Sequence, residues 1–189
     1  MGSKKTLALL LVALGSLTAS AAGAAVGGGY FPLEPGNRWL LRDVERGTAI
    51  TVSVAADRAP GSILHGFPGT ADLRVRVTGT TVEAWDPASD RWEPFLRLGA
   101  PVGTRYSVNL SHSALWRGVA VTVASRAAIV KDARGRTLRN CVRLALLPPK
   151  SLADAGIEEL VFAPGIGLVS VTEITIAGPR RSVLASFRS

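Results

Sequence analysis

The chain has 189 residues, 47% of them hydrophobic, a formal net charge of +8, two histidines and one cysteine. A single cysteine excludes an internal disulfide framework, and two histidines without a matching cysteine or carboxylate set form no recognisable zinc or iron site. The cations are nearly all arginines, scattered and usually near an acid in a chain rich in Ala and Gly, which fits the coding bias of a GC-rich genome; the other reading is attraction to a polyanion such as lipopolysaccharide or a wall polymer.

The chain opens as an export signal. Lys4 and Lys5 precede the apolar stretch Thr6 to Leu14, and the small residues Gly15 to Ala25 follow. Ala19-Ser20-Ala21 and Ala22-Gly23-Ala24 both fit the small-x-small cleavage pattern. The apolar stretch is shorter than the roughly 20 residues of a membrane span. Later apolar runs are broken by Arg, Asp, Gly or Pro, so no spanning segment is expected. No cysteine stands at the cleavage site, so no lipid anchor is expected either. This reading divides the chain into a signal peptide (1–25), a flexible spacer (26–29) and one β-domain (30–189), located in the periplasm or outside the cell.

In "YFPLEPGNRWLLR", Pro32 and Pro35 prevent a helix, and Pro35-Gly36-Asn37 reads as a turn. The chain then runs extended, with Trp39 and Leu41 on one side. Ile50, Val52 and Val54 alternate with polar residues, as do Leu73, Val75 and Val77. This is the period of a strand with one wet face. Gly79-Thr80 reads as a hairpin turn into Thr81–Trp85. Asp86 to Asp90 is a turn cluster whose carboxylates bond to the local backbone, and Arg91 to Leu98 returns. Thr104–Leu110 follows. The longest hairpin runs from Val119 to Val130, turns around Asp132 to Gly135, and returns through Val142, Leu144 and Leu146. Ser151 to Gly156 is the one plausible helical turn, with Ser151 as N-cap. Ile157–Ala163, Leu168–Ala177 and Ser182–Phe187 complete the set, with Gly178 to Arg181 closing the last hairpin. About ten short strands and little helix after the signal define an all-β antiparallel meander, as a curved sheet, half-barrel or sandwich.

The residues that carry chemistry elsewhere have bland readings here. His65 lies in a Gly/Pro loop and His112 at a strand end. In Ser111-His112-Ser113, neighbours in a strand would point to opposite faces, which argues against a nucleophile–base pair. Glu158-Glu159 is a pair at a strand start whose bland reading is a solvated turn, and Cys141 reads as a small, half-buried strand residue. Trp85 and Trp92 flank one turn and can meet across it. Trp39 and Trp116 read as packing residues. No catalytic, metal or cofactor residues are assigned, and no nucleic-acid partner is expected.

"FAPGIGLV", Phe162 to Val169, resembles a phosphate loop only in its glycine spacing. A Val-, Ile- and Thr-rich strand follows it where a helix would be needed. Pro164 and Gly165 therefore turn the chain, and Gly167 permits a bulge or a close backbone approach. Together with "YFPLEPGNRWLLR" and "GRTLRNCVRLAL", this segment resembles a group of uncharacterised bacterial exported β-domain proteins with FPL-x-x-G-x-x-W and aromatic-Ala-x-Gly-x-Gly-Leu-Val signatures. The resemblance spans roughly Tyr30 to Glu173 and implies no activity. In architecture alone the chain is similar to the curved sheets of periplasmic lipoprotein carriers. The expected function is a non-enzymatic envelope domain that binds an envelope protein or component. The alternatives are a carrier of a lipid or other apolar ligand, and a hydrolase with an unrecognised site.

Overall fold

The computed structural model describes residues 28–58, 60–149 and 155–189. The signal peptide, the first half of the spacer and the Ser151 cap lie outside them. Among the described residues twelve antiparallel strands form one sheet: β1 (Arg38–Asp43), β2 (Ala49–Ala56), β3 (Ser62–His65), β4 (Asp72–Thr78), β5 (Thr81–Asp86), β6 (Arg91–Arg97), β7 (Arg105–Asn109), β8 (Arg117–Lys131), β9 (Thr137–Leu147), β10 (Gly156–Ala163), β11 (Gly167–Thr175) and β12 (Gly178–Arg188). Their order is β6-β5-β4-β3-β2-β1-β12-β11-β10-β9-β8-β7. Consecutive strands pair everywhere except β6 with β7, and β1 pairs in addition with β12. The two edges are therefore β6 and β7, which are consecutive in sequence, and the sheet curls into a nearly closed barrel.

The all-β expectation holds, with two more strands than about ten. Ser62–His65, read as part of a loop, forms β3 between β2 and β4. It is too short to show a period against its Gly and Pro neighbours. The last hairpin turns at Ile176-Ala177, and Gly178 already pairs with Thr175.

Alternation sets the inner face. Trp39 and Leu41 in β1, Val52 and Val54 in β2, and Val82 and Ala84 in β5 are all buried. The interior is filled by a chain of aromatic rings. Phe187 stacks on Trp39 at 5.4 Å between centroids, and Trp39 meets Phe31 at 5.4 Å. Phe31 meets Phe162 at 5.4 Å and Phe67 at 6.0 Å. Phe67 meets Phe95 at 5.5 Å, and Phe95 meets Trp116 at 4.6 Å. Phe31 precedes the first strand, so the "YFPLEPG" segment is a plug. Its ends are tied down: the Tyr30 hydroxyl donates to Asn140 O at 2.9 Å, and Ser62 Oγ donates to Leu33 O at 2.9 Å.

The β8–β9 hairpin changes face along its length. Val119, Val121 and Val123 are buried near its base, and Ala128, Val130 and Asp132 near its tip. Three register shifts between Val123 and Val130 reverse the parity. The tip then reaches β12, where Ala133 N–H donates to Leu184 O at 2.8 Å. That carbonyl lies just past Ser170–Val183, the last pair between β11 and β12. The hairpin tip thus satisfies a backbone group that the sheet leaves open.

Candidate functional site

The residues with the most chemical potential gather at the seam between the two edges of the barrel. Asp86 ends β5 and is buried. It accepts hydrogen bonds from the Ser89 hydroxyl at 2.9 Å, from Ala88 N at 3.4 Å and from the Ser111 hydroxyl. His112 Nδ1 stands 3.6 Å from Asp86 Oδ1, an ion pair when the ring is protonated. The Ser111 hydroxyl, working against desolvation, holds the Asp86 carboxyl below the usual aspartate range.

Ser111 and His112 lie in a turn before the short 3-10 helix Ala114–Trp116, not in a strand. The alternation argument therefore does not apply to them, and both side chains reach the same carboxylate. The geometry is nevertheless not that of a nucleophile and base. A working triad needs the hydroxyl to donate to the imidazole and the imidazole to the carboxylate. Here Ser111 donates directly to Asp86, and Ser113 Oγ donates to Gly69 O at 2.7 Å.

The loop between β3 and β4 forms the other wall. Trp116 Nε1 donates to Pro68 O at 2.9 Å. Gly69 has φ +75°, and a Cβ there would meet Trp116 Nε1 at 2.9 Å, so only glycine lets the loop lie on the indole. A cleft of about 490 Å³ opens between this loop and the turn, lined by Asp72, His112 and Ser113 among others. Next to Asp72 the second histidine, His65, has its Nδ1 2.6 Å from the carboxylate, with side-chain exposures of 45% and 66%. His65 ends β3, so its loop assignment is corrected. The fold sets each histidine beside a carboxylate, His65 by Asp72 and His112 by Asp86, pairings invisible in their spacing along the chain. Among the described residues no group of three His, Cys, Asp or Glu side chains forms a cation site.

Other contacts close the seam further down. The Tyr106 hydroxyl accepts Arg97 N–H at 3.1 Å, and burial pushes its pKa up to about 12. Arg126 of β8 donates to Leu98 O at 2.6 Å and to Ala100 O at 3.2 Å. Side chains thus bridge β6 and β7 where no backbone ladder does.

The remaining sequence assignments fall as follows. Trp85 and Trp92 are direct cross-strand partners with centroids 5.5 Å apart. Cys141 is fully buried rather than half-buried, and burial raises its thiol pKa. Glu158 and Glu159 lie within β10, where Glu159 is the first residue paired with β9 and stands 3.3 Å from Arg143.

No family model matches the chain, and no curated protein matches it. Among solved structures it is similar to a candidate exported protein with a YmcC-like fold from Bacteroides fragilis, at 11% identity and TM-score 0.42, over 85% of this chain and 99% of that one. It is also similar to a candidate lipoprotein from Parabacteroides distasonis, at 12% identity and TM-score 0.40, over 84% of this chain and 97% of that one. At these scores neither likeness bears on function.

Proposed function

We propose that the protein is an exported, non-enzymatic cell-envelope domain that binds an envelope component with the outside of its barrel. One observation supports this above the others: the aromatic chain from Phe187 to Trp116 occupies the space that a carried apolar ligand would need. The cleft at the seam opens to solvent and mixes polar with apolar walls. At the seam, the serine hydroxyls and Asp86 are spent on one another and on the backbone, which favours a latch over a hydrolytic site. Native mass spectrometry of the purified protein tests the reading. The expected mass is that of the polypeptide alone. A lipid or other apolar molecule bound in stoichiometric amount would restore the carrier reading, and a hydrolytic activity lost in His112→Ala would restore the enzyme.

A further inference from the structure

We propose that one end of the barrel docks on an anionic lipid surface. The proposal rests on the reading that the outside of the barrel does the binding, and it names the chemistry of the partner. Two hairpin ends lie there, and the tip of the β8–β9 arm, which leaves the opposite end of its strands, curls back to reach β12 beside them. The β1–β2 turn carries Val44, 59% exposed; the β11–β12 turn carries Ile176, 94% exposed; the β8–β9 arm carries Ile129, 55% exposed. Val44 N–H donates to Arg181 O at 3.0 Å, which ties the first turn to β12. A cleft of about 420 Å³ is lined jointly by Arg42, Val44, Lys131, Ala133 and Arg181, so the arm belongs to the same end. From Arg181 back to Gly178 the β12 strand runs on for about 10 Å, which sets Ile176 at the tip of a projecting hairpin.

Single exposed aliphatic residues need no explanation. The charges around these do. Two carboxylates of this end are turned inward and occupied. Asp43 is buried, accepts the backbone N–H groups of Glu45 and Arg46, and pairs with Arg180 at 3.1 Å. Asp132 is buried and holds the backbone of Arg134 and Arg136 and the Arg136 guanidinium. The cations point outward. Arg42, Arg46, Lys131, Arg134 and Arg181 are exposed, and among the described residues no salt bridge reaches them; Arg181 alone is tied inward, its Nε donating to the buried Ser170 hydroxyl at 3.3 Å. Glu45 is exposed among them, and Glu173 lies across from Arg180. Aliphatic tips standing beyond a group of unneutralised cations match an interface of acidic headgroups over acyl chains: the cations supply the attraction and the aliphatic groups enter the boundary. A soluble polyanion would engage the cations and leave Ile176 without a role.

Co-sedimentation of the purified protein with vesicles tests this, using phosphatidylcholine alone and phosphatidylcholine with phosphatidylglycerol. Binding is expected only to the mixed vesicles and is expected to weaken with salt. The double variant Arg46→Ser/Arg134→Ser is expected to lose about 25-fold in affinity, near fivefold per cation. Ile176→Ser is expected to lose about tenfold while its retention on heparin stays unchanged. All variants should keep the wild-type unfolding curve, since neither guanidinium nor Ile176 is packed. Equal binding to both vesicles, or binding to neither, overturns the proposal. So does an Ile176→Ser variant that binds mixed vesicles like the wild type, because the cations would then serve a soluble polyanion. Failure on vesicles by a protein that carries no lipid removes this docking surface alone; a lipid found inside the barrel removes the functional reading beneath it.

Discussion

Trp39 lies against Gly167 so closely that a Cβ at position 167 would sit 2.8 Å from the indole nitrogen and 2.9 Å from Cζ2. The same indole N–H donates to Ile166 O at 2.5 Å, and Gly165 N–H donates to Gly29 O at 2.5 Å. The two segments "YFPLEPGNRW" and "FAPGIGLV", more than a hundred residues apart in sequence, are therefore two halves of one contact. Each supplies what the other needs: one a flat ring and a donor, the other a bare backbone and a carbonyl.

Gly167→Ala tests that contact directly. The backbone there has φ +98°, and the added methyl has no room. Strain and overpacking together are expected to cost about 2–4 kcal/mol, read as a lower urea midpoint at unchanged slope. A cost well under 1 kcal/mol would show that the indole moves aside freely.

Phe31→Ala removes the ring at the centre of the aromatic chain. Phe31 is fully buried, so the loss is expected to be about 3–5 kcal/mol. The vacated space is apolar, so the variant should gain binding of a small apolar fluorophore that the wild type ignores. A wild type that binds the fluorophore equally well would mean the interior already has room.

Acid should unfold the protein through its depressed carboxylates. Asp86 is lowered chiefly by the Ser111 hydroxyl, and Asp43 chiefly by the backbone N–H of Arg46. A carboxylate whose folded pKa lies below the unfolded value of about 3.9 contributes stability that is fully present above that value and lost as pH falls through the folded one. Stability is therefore expected to fall as pH drops below about 4. Asp86→Asn should make that drop shallower, as followed by denaturant titrations at each pH. An unchanged slope would mean the latch at the seam does not set this titration.

Cys141 is expected to be silent toward a thiol-specific disulfide reagent in the native protein and to react once the chain is unfolded. Burial both shields the sulfur and disfavours its thiolate. Fast native reaction would place the β9 strand on a frequently open part of the sheet.

Residues that reveal themselves by period were legible in the sequence. Val82 and Ala84, or Val119 to Val123, alternate because one face of their strand is wet. The turn at Pro164-Gly165 was legible for the same local reason, since Pro and Gly constrain their own backbone. The seam was not legible. Asp86 and Ser111 are 25 residues apart and carry no spacing signal, and the strand rule misjudged Ser111 and His112 because a turn sets their directions. The inward or outward aim of Asp43 and Asp132, on which the charge of one barrel end depends, was equally hidden.

The sequence by itself determined most of the strands, the antiparallel meander and the absence of a helical phosphate loop, because these follow from neighbour-to-neighbour periodicity and local backbone preference. Only the tertiary structure decided that β1 pairs with β12, that Phe31 plugs the interior, and that aliphatic tips and outward cations share one end. Those depend on which distant segments fit together, and fit is a matter of volume, hydrogen-bond satisfaction and charge in three dimensions, which no local pattern records.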